Sequence, residues 1–350
     1  MLAMQICASA LAQSPATSPT GLNSIGIAVA PDTTFLTSPL LPNGGVDYAT
    51  ALNNLESQGV TPANNAECVL IRIIQEKEQA PEEVQRRAGV RRLIGAPVNS
   101  APEIVWQNWP GFKTTLPTDD PAIPAYVNRF ERATNQPWSS QETPELAAWL
   151  KSNEPALQLV AQAATRMRYW TPIVLPPGGT ELIEEQYHGP IDMHNCADAL
   201  RIRAMLELHD GDEAGALDDL LTVQRLGALL GQSDQLVHCL VANNMRASAC
   251  MNSWRVLQDA HLPAPRLRQW SADLLALPSI PRIEDQAGLR LRCECLAMVQ
   301  AMAAAETEEM LKHMTAAQLL AARITVEVLN VPMLDGTAFS NSATAITTPC

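Results

Sequence analysis

The chain has no unbroken apolar stretch of the roughly 18–20 residues needed to cross a bilayer, so a membrane-spanning segment in the mature protein is not expected. Basic charge is also short. Lys and Arg total 24 against 37 Asp and Glu, a net charge of −13, with acidic runs at Glu181/Glu184/Glu185, Asp210–Asp219 and Glu306–Glu309. Such a surface repels a phosphate backbone and argues against a nucleic-acid partner. The local cluster Arg86, Arg87, Arg91 and Arg92 has acidic neighbours and no interleaved aromatics, so it reads as a solvated helix face. Catalytic signatures are missing as well: the sequence holds no H-E-x-x-H, G-x-S-x-G, Walker loop, G-x-G-x-x-G, C-x-x-C or EF-hand loop. No cofactor is expected. Aromatics are scarce, with four Phe and four Tyr, so Trp106, Trp109, Trp138, Trp149 and Trp170 are the large residues available to a core, although proline-flanked tryptophans can also line a groove. The eight cysteines are sparse and irregularly spaced, unlike a disulfide framework.

What is present is a folded, helical protein. At 350 residues with 47% hydrophobic residues, the chain can bury a core without metal or disulfide staples. Residues 1–12 (MLAMQICASALA) end in Ala10-Leu11-Ala12, the small-x-small pattern of signal-peptidase cleavage, although the basic n-region of a full signal peptide is not visible. Gln13 would then open the mature chain, and export to the periplasm or beyond is expected. Residues 13–45, rich in Ser, Thr, Pro and Gly, read as a flexible leader.

An N-terminal helical region is expected over residues 46–171. It begins at Asp47 with Tyr48, Leu52 and Leu55 on one face. Thr61-Pro62 then suggests a second helix carrying Ala66, Val69, Leu70 and Ile73. Pro81 opens another helix, 96–124 should be irregular, and Thr143-Pro144 starts a helix that Pro155 breaks or kinks. The Pro- and Gly-rich residues 172–190 are the expected connection to a C-terminal helical region over 191–330. There, one helix ends after Met205 and Leu208, Gly211-Asp212 turns the chain, and Ala216, Leu217, Leu220, Val223 and Leu230 carry the returning helix. A third helix follows Ser233 with the stripe Leu236, Leu240, Asn243, Ala247, Cys250, Trp254 and Leu257, in alternating steps of four and three. Further helices are expected over 266–275 and 283–311, with a continuation over 316–329 and a disordered tail at 331–350.

The segment Ala204–Leu226 has a tetratricopeptide-like flavour, although no second copy stands at repeat spacing. The expected fold is therefore all-α, an array of antiparallel helical hairpins. The segment Asp47–Leu70 (DYATALNNLESQGVTPANNAECVL), with the turn at Gly211-Asp212, resembles a group of exported bacterial α-helical proteins that carry no assigned activity. The resemblance is patchy. It implies a helical fold and export, and it transfers no catalytic residues.

The densest group of chemically able side chains is Glu184, Glu185, His188, Asp192, His194 and Cys196. Imidazole, carboxylate and thiolate suit a borderline metal, and a loop can fold them onto one ion. The spacing matches no named site, and loop or capping roles are the favoured reading. His194 and Cys196, two positions apart, point away from each other in helix or strand. Cys293 and Cys295 lie about 200° apart on a helix, and Cys239 and Cys250 roughly 16 Å apart along one, so both pairs read as core packing. Asn243 should tie two helices together or line a polar pocket, while His238 and His313 read as surface or satisfied histidines. The leading expectation is an exported, non-catalytic helical protein that binds a protein or envelope component or serves in an assembly. The alternative is a hydrolase or metal-dependent enzyme with its site at 184–196.

Overall fold

The structure is a computed structural model that describes residues 26–74, 81–96, 103–109, 123–175, 182, 188–259, 261–279 and 283–304. Those residues form ten α-helices and one pair of two-residue strands, so the fold is all-α as expected. In chain order they are α1 (Tyr48–Glu56), α2 (Glu67–Leu70), β1 (Ile73–Ile74), α3 (Pro81–Leu93), β2 (Ile104–Val105), α4 (Ile123–Asn135), α5 (Pro144–Ala163), α6 (His188–Asp210), α7 (Glu213–Leu230), α8 (Leu236–Asp259), α9 (Ala264–Leu275) and α10 (Ile283–Ala304). The expected continuation over 316–329 and the tail 331–350 lie outside the described residues.

The chain divides into two compact units, residues 1–51 with 295–350, and residues 52–294. In the first, structure begins earlier than composition suggests. Residues 26–45, within the segment read as a flexible leader, make a series of turns and bury Val29 and Thr34, and Val46 just after them is buried as well. The Tyr48 hydroxyl donates to the Thr34 carbonyl at 2.8 Å. Gln300 ties the segment down through both ends of its amide: the Val46 N–H donates to its Oε1 at 2.7 Å, and its Nε2 donates to the Val46 carbonyl at 2.9 Å. Hydrogen bonds of this kind come from partners far apart in sequence and leave no local pattern. Asp47 does begin α1 as expected, its Oδ1 accepting from the Thr50 N–H at 2.9 Å.

In the second unit, the helix expected from Thr61 shrinks to the single turn α2. The side chain of Asn65 explains this: it accepts from the Trp170 N–H at 3.0 Å and donates to the Trp170 carbonyl at 2.8 Å. Ala66 N–H donates to the Arg168 carbonyl at 2.8 Å, so backbone groups here pair with a distant strand-like segment. Ile73 then enters β1, parallel to β2, with Ile73 opposite Ile104 and Ile74 opposite Val105. The arginine cluster on α3 is only partly solvated. Arg87 is buried and bonds the Ile71 carbonyl, which Arg91 also reaches at 3.1 Å, and both meet Glu103.

Helix α4 was not anticipated from sequence, and its partners explain its presence. Trp106, Trp109, Tyr126, Phe130 and Trp149 form one aromatic cluster, with Trp109 5.6 Å from Tyr126 and 5.9 Å from Trp149, ring centre to ring centre. The indole N–H of Trp109 donates to the Tyr126 carbonyl at 3.0 Å and that of Trp138 to the Ile202 carbonyl at 2.9 Å. All five tryptophans of the first half are buried, which settles them as core residues. Pro155 does not break α5, which runs continuously from Pro144 to Ala163. Its ring forgoes one bond to the carbonyl four residues back, and the buried Leu146, Trp149, Leu150, Ala156, Leu157 and Val160 hold the helix together.

The Gly211-Asp212 turn forms as expected. Gly211 has φ +83°, a conformation that costs little without a Cβ, and the Asp212 carboxylate caps α7 by accepting from Gly215 N–H at 2.9 Å. Helix α6 is the hub, packing against α4, α5, α7 and α8. Its buried residues and those of α7 supply much of the largest hydrophobic cluster, including Leu200, Ile202, Met205, Leu217, Leu220, Val223 and Leu226.

Candidate functional site

The segment 184–196, read from sequence as loop or cap with a metal site as the lesser alternative, is helical from His188 onward. Helix α6 starts at His188, so Gly189-Pro190, placed by composition at the end of the 172–190 connection, sits inside the first helical turn. Proline is tolerated there because its missing N–H would have had no helical partner. Glu184 and Glu185 lie outside the described residues, as do the side chains of His188 and Asp192. The two remaining members diverge. Cys196 is buried in the main core, while His194 is half-buried and faces Asp198 at 3.6 Å. Asp198 is already engaged by Arg201 at 2.8 Å. Among the described residues, no group of three or more His, Cys, Asp or Glu side chains is placed to share an ion.

Charge is concentrated instead where α5, α6 and α7 meet. Arg203 donates to both carboxylate oxygens of Asp219 at 2.7 Å and to Glu154 at 2.8 Å, and lies 3.9 Å from Glu207. Burial would lower the Arg203 pKa, but the hydrogen bonds and negative charge of Asp219 more than reverse it. Burial raises Asp219, against the pull of Arg203. Glu207 is pushed up to about 8 by burial and the Asp219 charge, with Arg203 opposing. A bidentate Arg–carboxylate pair joining two helices, with a third carboxyl held protonated beside it, is a structural clamp.

A nucleophile and an imidazole do meet at the start of α8. Ser233 Oγ lies 2.8 Å from His238 Nδ1, behind a cavity of about 140 Å³ lined by Tyr169, Gln232, Asp234 and Gln235 among others. Distance alone suits a general base. The electrostatics do not, because burial pushes the His238 pKa down to about 3 and the Arg290 charge pushes it the same way. A catalytic imidazole is oriented and made more basic by a carboxylate, the opposite sign of neighbour. The buried His238 and the half-buried Ser233 therefore form a satisfied structural pair. A larger groove of about 530 Å³ is lined by Thr165, Arg166, Arg225 and Gln232 beside Met167 and Leu229 among others, and its lining, among the described residues, includes no carboxylate, histidine or cysteine.

The feature that departs most from expectation is α8 itself. Its core face carries His238, Cys239, Ala242, Met245, Ala249, Asn252, Ser253 and Val256. The apolar stripe read from the sequence points largely outward: Leu236 is 37% exposed, Leu240 53% and Trp254 66%, and Ala247 and Cys250 are exposed with them. Met251, beside the stripe, is 68% exposed. Asn243 ties no helices together; its amide donates to the Cys239 carbonyl of its own helix at 2.9 Å. Cys250, read as core, is a surface thiol, whereas Cys239, Cys293 and Cys295 are buried as expected.

Small residues explain the inversion. A Cβ on Gly227 of α7 would stand 3.1 Å from the Ala242 carbonyl, and one on Gly231 3.7 Å from the Ala242 methyl. The two backbones approach closely because glycine and alanine meet there with the Arg246 stem laid against Gly227, and Leu236, Leu240 and Trp254 of α8 are turned outward. Gln224 of α7 donates to the Arg246 carbonyl at 2.9 Å and Asn252 to the Thr134 carbonyl at 2.5 Å, fixing that rotation with polar bonds. From Leu236 to Trp254 the exposed residues of α8 are Leu236, Leu240, Asn244, Ala247, Cys250, Met251 and Trp254, none of them charged. Among the described residues no helix is long and apolar enough to cross a membrane. Comparison with known proteins finds no family model, no curated protein and no solved structure that matches this chain.

Proposed function

We propose that this is an exported, non-catalytic helical protein whose work is binding or assembly, and that the uncharged outer face of α8 is its working surface. The observation that carries the reading is that face. On a chain of net charge −13 it is an apolar strip that includes a Trp and a Met, with charge kept to its ends. Depletion of charge with enrichment of Trp and Met marks the centre of protein interfaces. Single exposed apolar residues such as Met167 or Leu275 need no such explanation.

A photo-crosslinking amino acid at position 251, with a control at the exposed Gln162, tests this in cells. Adducts at 251 and none at 162 are expected; a chain without adducts at 251 refutes the reading. Export rests on the Ala10-Leu11-Ala12 pattern, and a mature protein beginning at Gln13 in an envelope or extracellular fraction is its check.

A metal-dependent hydrolase at 184–196 is the rival reading, supported by the ligand-type side chains in that segment. It expects stoichiometric bound transition metal, lost in a His188→Ala/His194→Ala double variant.

A further inference from the structure

We infer that the partner of the α8 face is a second copy of this chain, docked antiparallel through the same face about a two-fold axis near Ala247. The inference rests on the binding reading above. Three observations favour a copy of this chain as the occupant.

The first is spacing. Leu236, Leu240, Asn243, Ala247, Cys250, Trp254 and Leu257 alternate steps of four and three, a repeat of 3.5 residues over the length of the helix. That is the period of a seam between two helices, and a core-facing helix in a globular protein does not require it. Here the seam lies mostly on the outside. The second is self-complementarity, the condition a two-fold interface must meet. A two-fold axis at Ala247 sets Asn243 opposite Met251, Asn244 opposite Cys250, Leu240 opposite Trp254 and Leu236 opposite Gln258. Ala247 then meets its own copy at the axis, where backbones must come closest, and Trp254 packs on Leu240 on either side of it. Polar Asn243 sits inside the seam, a position where a single amide fixes register. The antiparallel arrangement also brings the exposed Arg255 at one end of α8 toward the end that begins beside Asp234, twice over, and opposes the two helix dipoles.

The third is area. Trp254, Met251, Leu240 and Leu236, at 66%, 68%, 53% and 37% exposure, offer roughly 450 Å² of apolar surface per chain. Two copies, with the small residues between them, bury about 1,000 Å², the lower limit for a specific interface. A dimer of that size should have a dissociation constant on the order of 1–100 μM.

Sedimentation velocity on the full chain across that concentration range tests the inference, with three variants. The wild type is expected to shift from 37.9 kDa toward twice that mass. Ala247→Arg is expected to stay monomeric throughout with an unchanged far-UV circular dichroism spectrum, because Ala247 is exposed and its replacement sets two like charges face to face at the axis. In a Cys250→Ser background, Ala247→Cys is expected to give a disulfide-linked dimer on mild oxidation, and Gln258→Cys none. A wild type that stays monomeric, a dimer that survives Ala247→Arg, or oxidation that links position 258 as readily as 247 overturns the inference. The binding reading fails separately. If the chain is monomeric but a photo-crosslinker at 251 captures a species of another mass, the second copy is refuted and the binding face stands; if it captures nothing, both fall.

Discussion

A buried histidine and a half-buried glutamate shifted in opposite directions give the stability of this protein a flat-topped dependence on pH. His238 titrates at 6.5 in an unfolded chain and at about 3 in the fold. Between those values the unfolded chain binds more protons, so stability rises with pH and is lost as pH falls toward 3. Glu207 titrates at 4.5 unfolded and at about 8 folded. Between those values the folded chain binds more protons, so stability falls as pH rises toward 8. The windows overlap from 4.5 to 6.5, where the two slopes oppose each other. Of these two groups only His238 titrates below 4.5 and only Glu207 above 6.5, each at a limiting slope of about 1.4 kcal/mol per pH unit, or roughly 2 kcal/mol by the end of its limb. The raised Asp219 carboxyl has the same sign as Glu207. Glu207 has 26% of its side chain exposed, and solvent screening there cuts the alkaline limb to about 1 kcal/mol. Urea midpoints followed by circular dichroism across this pH range measure the profile. Glu207→Gln should flatten the alkaline limb and leave the acid one, and His238→Gln should do the reverse. If the Glu207→Gln profile runs parallel to wild type above 6.5, the carboxyl is not held protonated in the Arg203 clamp and the argument is wrong.

Arg203→Met should destabilise the protein by about 3–5 kcal/mol, because it strands the buried Asp219 carboxylate, and adding Asp219→Leu should recover most of that loss; thermal melts of the single and double variants decide it. Gly227→Leu forces side-chain atoms against Arg246 and the Ala242 carbonyl, so a loss of about 1–3 kcal/mol in chemical denaturation is expected. Asp212→Ala removes the α7 cap and should cost about 1 kcal/mol, with Asp212→Asn close to neutral in the same assay.

The helices that sequence located well are those whose signals are local. Pro81, Thr143-Pro144 and Gly211-Asp212 mark boundaries of α3, α5, α6 and α7 by backbone chemistry confined to a few residues. What failed depended on partners distant in sequence. Asn65 shortens α2 by bonding Trp170, Gln300 orders a Pro-rich segment through Val46, and α4 presents Tyr126 and Phe130 to tryptophans outside it. The Arg203–Asp219–Glu154 clamp and the Ser233–His238 pair follow no motif spacing, so no pattern search would have joined them.

The misjudged face of α8 carries a more general lesson about hydropathy. A periodicity reading weighs residues by size and apolarity, and so it assigned Leu240 and Trp254 to the core. The fold weighs how closely two backbones can approach, and for α7 against α8 the answer lies in Gly227, Gly231 and Ala242. At this one contact the small residues are used within the chain, and Leu236, Leu240 and Trp254 of α8 are left outside it. That outer strip keeps the 3.5-residue period and the absence of charge that an inter-chain seam requires. The pattern in the sequence was therefore a real signal of helix packing, and its outward placement is what points to a partner outside the chain.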